Sequence, residues 1–314
     1  MDYRIKNAIK KVLFPSRFGH NLYALVSKKV QASRSELNDR EYVIKAFHEN
    51  TGKTLNLDHP VTFNDKLLWL SLNDHDPLKT KCADKYRVRE YIQECGYGYI
   101  LSDLYGVYDS TNDIELDKMP RRFFVKTNHD SGTYALIDQA NPATLGAFDR
   151  IEEALKRNYY PESREWQYKN IVPKVICEEY LETNDPLGLV DYRFYCFSGR
   201  IGFIAVDVGT TSSNGKHSYV AKRNLYDENF ALLDAKLKRE HFDPSLVKKP
   251  EKFDRMKEIA LALAKPFKHV RVDLYHIDGR IVFGELTFCN AGGMQLLEPE
   301  DFNKKIGEMI DIKL

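Results

Sequence analysis

The sequence predicts an α+β fold with a mostly antiparallel sheet, entered through a mainly helical N-terminal region. Apolar residues recur at helical spacing ahead of residue 96, short alternating strands dominate after it, and only two marked helical stretches interrupt those strands. The 314 residues are 43% hydrophobic and 30% charged, with 12 prolines and 17 glycines thinly spread, enough for a sizeable core and unlike a disordered chain.

At the N-terminus Ile5, Ile9, Val12 and Leu13 form one helical stripe ringed by Arg4, Lys6, Lys10 and Lys11, and Pro15 stops it. Such a stripe either docks on its own domain or lies on an anionic membrane surface, so peripheral membrane contact stays open. From Pro60, Phe63, Leu67, Leu68 and Leu70 predict a helix, residues 73–77 break it, and a second helix is expected over 80–95. Strands are expected over 99–108, 122–127, 133–137, 174–180, 192–197, 201–208, 270–276 and 281–288, with helices over 145–158 and 252–265. No internal repeat or Gly/Ser linker divides the chain.

Lys plus Arg number 47 and Asp plus Glu 46, so no basic field exists to bind a phosphate backbone, and nucleic acid is not an expected partner. No apolar run approaches the roughly 20 residues of a membrane span, and residues 1–11 lack the apolar stretch of a secretory signal. A cytoplasmic protein is expected. The five cysteines form no CxxC pair, which argues for inert thiols over zinc or disulfides.

The richest chemistry lies in the last hairpin. Alternation puts Arg271, Asp273 and Tyr275 on one face and Val270, Val272 and Leu274 on the other. A two-residue Asp278-Gly279 turn would separate Glu285 from Asp273, whereas a three-residue loop of Ile277, Asp278 and Gly279 would set Glu285 and Thr287 beside Arg271 and Asp273. The three-residue loop is the register that builds a site. Two carboxylates converging there would repel unless a cation sat between them, and hard oxygen ligands suit Mg²⁺.

Lys126 ends an apolar strand and leads into Asn128-His129-Asp130-Ser131-Gly132-Thr133; a lysine so placed needs an anion or solvent, and phosphate fits, although the loop is no P-loop. Glu178 and Glu179 close another strand, and Asp191 opens the next; such acids can accept ribose hydroxyls, or can simply be solvated ends. Asp74-His75-Asp76 resembles a DxD metal triplet, but before Pro77 it reads better as a turn and helix cap. Tyr159-Tyr160 and Arg164-Glu165-Trp166 are a candidate patch for an acceptor substrate.

In chain order, FNDKLLWL, ADKYRVREY, FFVKTNHDSG, YRFYCFSG, AKRNLYD and RVDLYHIDGRIVFGELTF resemble an ATP-grasp enzyme, and more narrowly its teichuronopeptide-biosynthesis (TupA-like) branch, from about Pro60 to the C-terminus. The resemblance implies two α+β subdomains gripping ATP. It implies a helical region over 1–60 and an ATP-grasp domain over 61–314: lead-in helices and first strands (61–120), a small lobe with the phosphate loop (121–185) and a large lobe with the metal site (186–314). By position, Lys126 matches a nucleotide-phosphate lysine, and Asn128, His129, Ser131, Gly132 and Thr133 match a mobile loop over the γ-phosphate. Glu178 and Glu179 match the adenine hinge, Asp191 the ribose carboxylate and Lys222 a further phosphate contact. The early lysine is Lys85 or its replacement Arg89.

Asp273 and Glu285 match magnesium ligands, and Arg271 the catalytic anchor for an acyl phosphate. Thr287, a poorer ligand, stands where many relatives have asparagine, so the second metal leans instead on Asn290 or on water, or is weakly held. The implied function is an ATP-dependent carboxylate-amine ligase of surface-polysaccharide biosynthesis. It joins a uronic acid, on a saccharide or nucleotide sugar, to an amino acid or other amine. A glycosyltransferase of the same pathway and an ATP-dependent phosphotransferase are the rival expectations.

Overall fold

The computed structural model describes residues 37–210 and 221–312, and the basic stripe over 5–13 lies outside them. Local signals set the first helices. Asn38 caps α1 (Asp39–Thr51) by accepting from Glu41 N at 3.0 Å while Glu41 accepts from Asn38 N, and Gly52 closes the helix at φ 72°. Thr62 and Asp65 form the same reciprocal cap on α2 (Phe63–Asn73).

The single helix expected over 80–95 is two, α3 (Pro77–Ala83) and α4 (Val88–Glu94). The buried Asp84 carboxylate accepts from Tyr86 N at 2.9 Å and Arg87 N at 3.2 Å, a local turn that competes with helix. Asp76 caps α3 through Leu78 N at 2.9 Å and Asp74 pairs with Lys79 at 2.8 Å, so both acids of the DxD triplet serve the helix start.

Two antiparallel sheets follow. The small one runs in the order β1 (Leu104–Tyr108), β4 (Val175–Glu179), β2 (Arg122–Thr127), β3 (Tyr134–Asp138). The strand expected from residue 99 starts later because Gly98–Ile100 is a 3₁₀ turn. Phe123, Val125, Ile137, Val175 and Cys177 pack on α5 (Ala147–Leu155) through Ile151. Alternation leaves Phe124, Lys126, Tyr134 and Glu178 on the other face. A short α6 (Tyr160–Ser163) precedes β4.

The large sheet has the order β10 (Arg280–Thr287), β9 (His269–Ile277), β5 (Asp191–Phe197), β6 (Arg200–Val208), β7 (Lys222–Tyr226). One face buries Phe194, Ile204, Val206, Val270, Val272 and Leu274 with α7 (Phe253–Ala264). The opposite face is divided. Tyr195, Phe197, Phe203 and Leu225 share a core with α1, α2 and α8 (Glu300–Glu308). Register puts Asp191, Arg193, Asp207, Arg223, Arg271 and Asp273 on that same face, outside the apolar cluster. α8 reaches the start of α2 so closely that a Cβ at Gly307 would fall 2.1 Å from the Val61 carbonyl oxygen.

Asn64 ties these parts together, donating to Gln295 O at 2.8 Å and accepting from Asn303 Nδ2 at 3.1 Å. The described cysteines are free, and all but half-buried Cys95 are buried. No helix among the described residues is long and apolar enough to cross a membrane.

Candidate active site

The turn of the last hairpin is not the expected three-residue loop. Arg280 pairs with Ile277, so Asp278 and Gly279 alone make the turn, both at positive φ (49° and 76°). Uniform pairing from that turn would set Glu285 opposite Val272, on the apolar face. The register shifts instead between Phe283 and Glu285, so that Glu285 faces Asp273 and Thr287 faces Arg271. Gly284 is the extra residue of a β-bulge. A Cβ there would lie 3.1 Å from the Asp273 carbonyl oxygen and 3.2 Å from the Tyr275 ring, so the site favours glycine. The two acids meet by a bulge, not by the turn.

Arg271 holds them together. Its Nε donates to Asp273 Oδ1 at 2.6 Å, and its Nη2 donates to Asp273 Oδ2 at 2.6 Å and to Glu285 Oε1 at 2.5 Å. Burial pushes the Asp273 carboxyl up to about 6, against the pull of Arg271 and Arg193. Burial works on Glu285 in the same sense, but Arg271, Lys85 and Arg193 outweigh it and hold its pKa below the ordinary value. Thr287 Oγ1 donates to Glu285 Oε1 at 3.0 Å.

The charges continue across the sheet. Arg193 Nη2 donates to Asp191 Oδ1 at 3.3 Å, Thr210 Oγ1 donates to Asp191 Oδ2 at 2.7 Å, and Arg223 grips Asp207 with two bonds of 2.5 and 2.6 Å. Although burial opposes it, Arg193 and Arg223 hold Asp207 well below the usual carboxylate range.

The small lobe brings cations towards this face. Lys126 pairs with Glu178 on the strand face away from the small core. The Asp84 turn separates the two early candidates. Lys85 Nζ donates to Asp130 O and lies within electrostatic reach of Glu285 and Lys126, whereas Arg89 donates to Ser102 O at 2.7 Å and feels Glu178. Burial lowers the Lys85 pKa.

The loop over 128–133, expected to be mobile and to close over a phosphate, is largely hydrogen-bonded to its own lobe. Asn128 Nδ2 donates to Val172 O at 3.0 Å and Asn128 Oδ1 accepts from Lys174 N at 2.7 Å. Thr127 and Thr133 each donate to Asp130 at 2.5 Å. His129 Nε2 faces the carbonyls of Ala154 (3.2 Å) and Arg157 (3.1 Å), so that nitrogen carries the proton. Only Ser131 and Gly132 are exposed at the tip.

Other expected residues are dispersed. Glu179 lies on the strand face opposite Glu178 and accepts from Arg280 Nη2 at 2.5 Å, which links β4 to the hairpin. Between them a cleft of about 780 Å³ is lined by Arg122, Asp138, Glu179, Tyr180, Ile277 and Arg280, among others. Lys222 is exposed on the edge strand β7, three strands from β9. Asn290 is buried with neither amide atom hydrogen-bonded among the described residues.

One group in the acceptor patch is more deeply involved than its sequence context signals. Glu165 is 6% exposed, burial pushes its carboxyl up to about 8, and it lies within electrostatic reach of Glu285 and Arg271. Between pH 4.5 and 8 the folded state therefore holds a proton that the unfolded chain has released, and stability falls as pH rises through that window. Glu165→Gln should remove that part of the slope, on the order of 4 kcal/mol across the window, read by chemical unfolding at pH 5 and 8. Equal slopes in both proteins would contradict it.

The TupA-like ATP-grasp family matches residues 65–311. The chain belongs to the TupA-like ATP-grasp family. Among solved structures the family member resembles D-alanine–D-alanine ligase from Bacillus anthracis complexed with ATP (16% identity, 66% of this chain and 55% of that one, TM-score 0.41). It also resembles L-amino acid ligase from Bacillus licheniformis (12%, 68% and 44%, 0.43) and D-alanine–D-alanine ligase from Helicobacter pylori (12%, 72% and 56%, 0.38). The chain thus spans about half the length of these proteins. No curated protein matches.

The donor set of this ATP-grasp protein suits Mg²⁺. Two carboxylates converge on a single cationic nitrogen. The described residues hold no group of three His, Cys, Asp or Glu able to bind a metal, which leaves the other positions to phosphate oxygens and water, as Mg²⁺ prefers.

Proposed function

We propose that this ATP-grasp protein is an ATP-dependent carboxylate-amine ligase. The observation that carries the reading is the Gly284 bulge, which puts Asp273, Glu285 and Arg271 on one face. Lys126 and Lys85 are the phosphate-binding cations from the small lobe. Asp273 and Glu285, with an oxygen of Thr287 or Asn290, would hold Mg²⁺, which when bound neutralises charge on the phosphate oxygens.

A substrate carboxylate attacks the γ-phosphorus to give an acyl phosphate and ADP, and an amine then displaces phosphate to form the amide. Arg271 Nη1 makes no hydrogen bond among the described residues, which leaves a donor edge for the acyl oxygen as charge builds on it. The TupA-like family supports a uronic acid, on a saccharide or nucleotide sugar, as the carboxylate, an amino acid or other amine as its partner, and a place in surface-polysaccharide biosynthesis at the cytoplasmic face of the membrane.

The test is ADP release by purified protein, screened over uronic-acid acceptors and amines. Sustained release that needs both substrates and Mg²⁺, with a product lighter by one water than their sum, supports the ligase; a phosphate ester as product rejects it. Lys126→Ala should raise the KM for ATP about 10- to 100-fold, as loss of one charge-assisted contact does. An unchanged KM would remove Lys126 from the nucleotide site.

A further inference from the structure

Glu165 stands apart from five other buried acids whose partners are plain. Asp84 accepts from two backbone amides, Asp130 from two hydroxyls, Asp191 from Thr210 and Arg193, Asp207 from arginines, and Asp273 from both arms of Arg271. Glu165 has one neutral donor, Gln167 Nε2 at 3.0 Å, and its Oε1 has no hydrogen-bond partner among the described residues. A buried carboxylate so poorly satisfied is costly unless it holds a proton, as Glu165 does in the free protein, or a cation completes it. The nearby guanidinium of Arg271 is already committed to Asp273 and Glu285.

The chain holds Glu165 in place from both sides. Arg164, at φ 56°, donates through Nη1 to Asp39 Oδ1 of α1 at 2.8 Å, and Tyr42 Oη donates to Glu162 O at 2.8 Å. On the other side Trp166 stacks on His75 at 4.7 Å, and Tyr168 packs edge-on against Tyr159 at 5.1 Å. Tyr159 in turn bonds Ser131 at the loop tip. Glu165 is thus linked through Tyr168 and Tyr159 to Ser131 at the loop tip and lies within electrostatic reach of Arg271 and Glu285.

We propose that Glu165 binds the ammonium group of the amine substrate and takes its proton as the amine attacks the acyl phosphate. This rests on the ligase reading. Glu165 is protonated in the free protein at neutral pH and releases that proton to solvent as the ammonium docks; the bound ammonium then gives one proton to the Glu165 carboxylate, and the freed nitrogen lone pair forms the N–C bond while the acyl C–O bond breaks. Phosphate leaves with that electron pair, and the second N–H proton goes to it.

Hydroxylamine separates this proposal from the reading beneath it, because it is uncharged at neutral pH and traps an acyl phosphate as hydroxamate without a base. With full-length protein, ATP, Mg²⁺ and the carboxylate found in the ADP screen, wild type and Glu165→Gln should form hydroxamate equally well. Amide formation with the protonated amine should fall at least about 100-fold in kcat/KM in Glu165→Gln, with partial recovery in Glu165→Asp. Loss of both products together, a shifted Mg²⁺ requirement, or unchanged amide formation would overturn the role of Glu165. No hydroxamate from wild type would instead defeat the ligase reading, and the proposal with it. A melting temperature no lower than wild type shows that Glu165→Gln is folded.

Discussion

Insertion of one alanine between Gly284 and Glu285 is expected to abolish turnover and to destabilise the protein by more than about 3 kcal/mol. With one residue more beyond the bulge the pairing slips by one, which sends Glu285 opposite Val272 into the core shared with α7. Leu286, now 4% exposed, would move onto the charged face, and Arg271 would lose its second carboxylate. Gly284→Ala keeps the register and should cost far less, about 1 kcal/mol, since its Cβ demands only small shifts around the Asp273 carbonyl. Denaturant unfolding and ADP release read both variants. An insertion variant with wild-type stability and turnover would show that this register does not place Glu285 in the site.

Arg271→Ala should lower turnover about 100- to 1,000-fold and destabilise the fold by about 3–5 kcal/mol, because it leaves two facing carboxylates without their shared cation. Arg193 Nε, 3.6 Å from Asp273, compensates only in part. The variant should also become more stable in millimolar Mg²⁺, and adding Asp273→Asn should cancel that dependence. Thermal melts with and without MgCl₂ check both statements. Melts of Arg271→Ala indifferent to Mg²⁺ would count against Asp273 and Glu285 as a metal pair.

The face occupied by Arg271, Asp273 and Tyr275 was legible in the sequence because strand alternation is strictly local. The pairing of Glu285 was not, since the residue that decides it, Gly284, lies five positions beyond the turn that attracts attention. A glycine within a strand pattern is the available signal for a bulge. The break at Asp84 was hidden because the apolar spacing continues through it, and only the two backbone bonds of its carboxylate show why the helix stops. That break also parts Lys85, bonded to Asp130 O, from Arg89, bonded to Ser102 O, which spacing alone leaves equivalent. Glu165 was visible as part of a patch, but its isolation depends on α1, more than a hundred residues earlier in the chain.

The attachment of α1 bears on where this protein can be cut. Residue 61 looks like a natural border between an accessory segment and a catalytic unit, yet Tyr42, Val43, Ala46 and Phe47 are interior to the same apolar cluster as Tyr195 and Phe203. A chain shortened to that border would lose both this packing and the Asp39 anchor beneath Arg164. The leading helix is masonry of the working half, not a detachable porch.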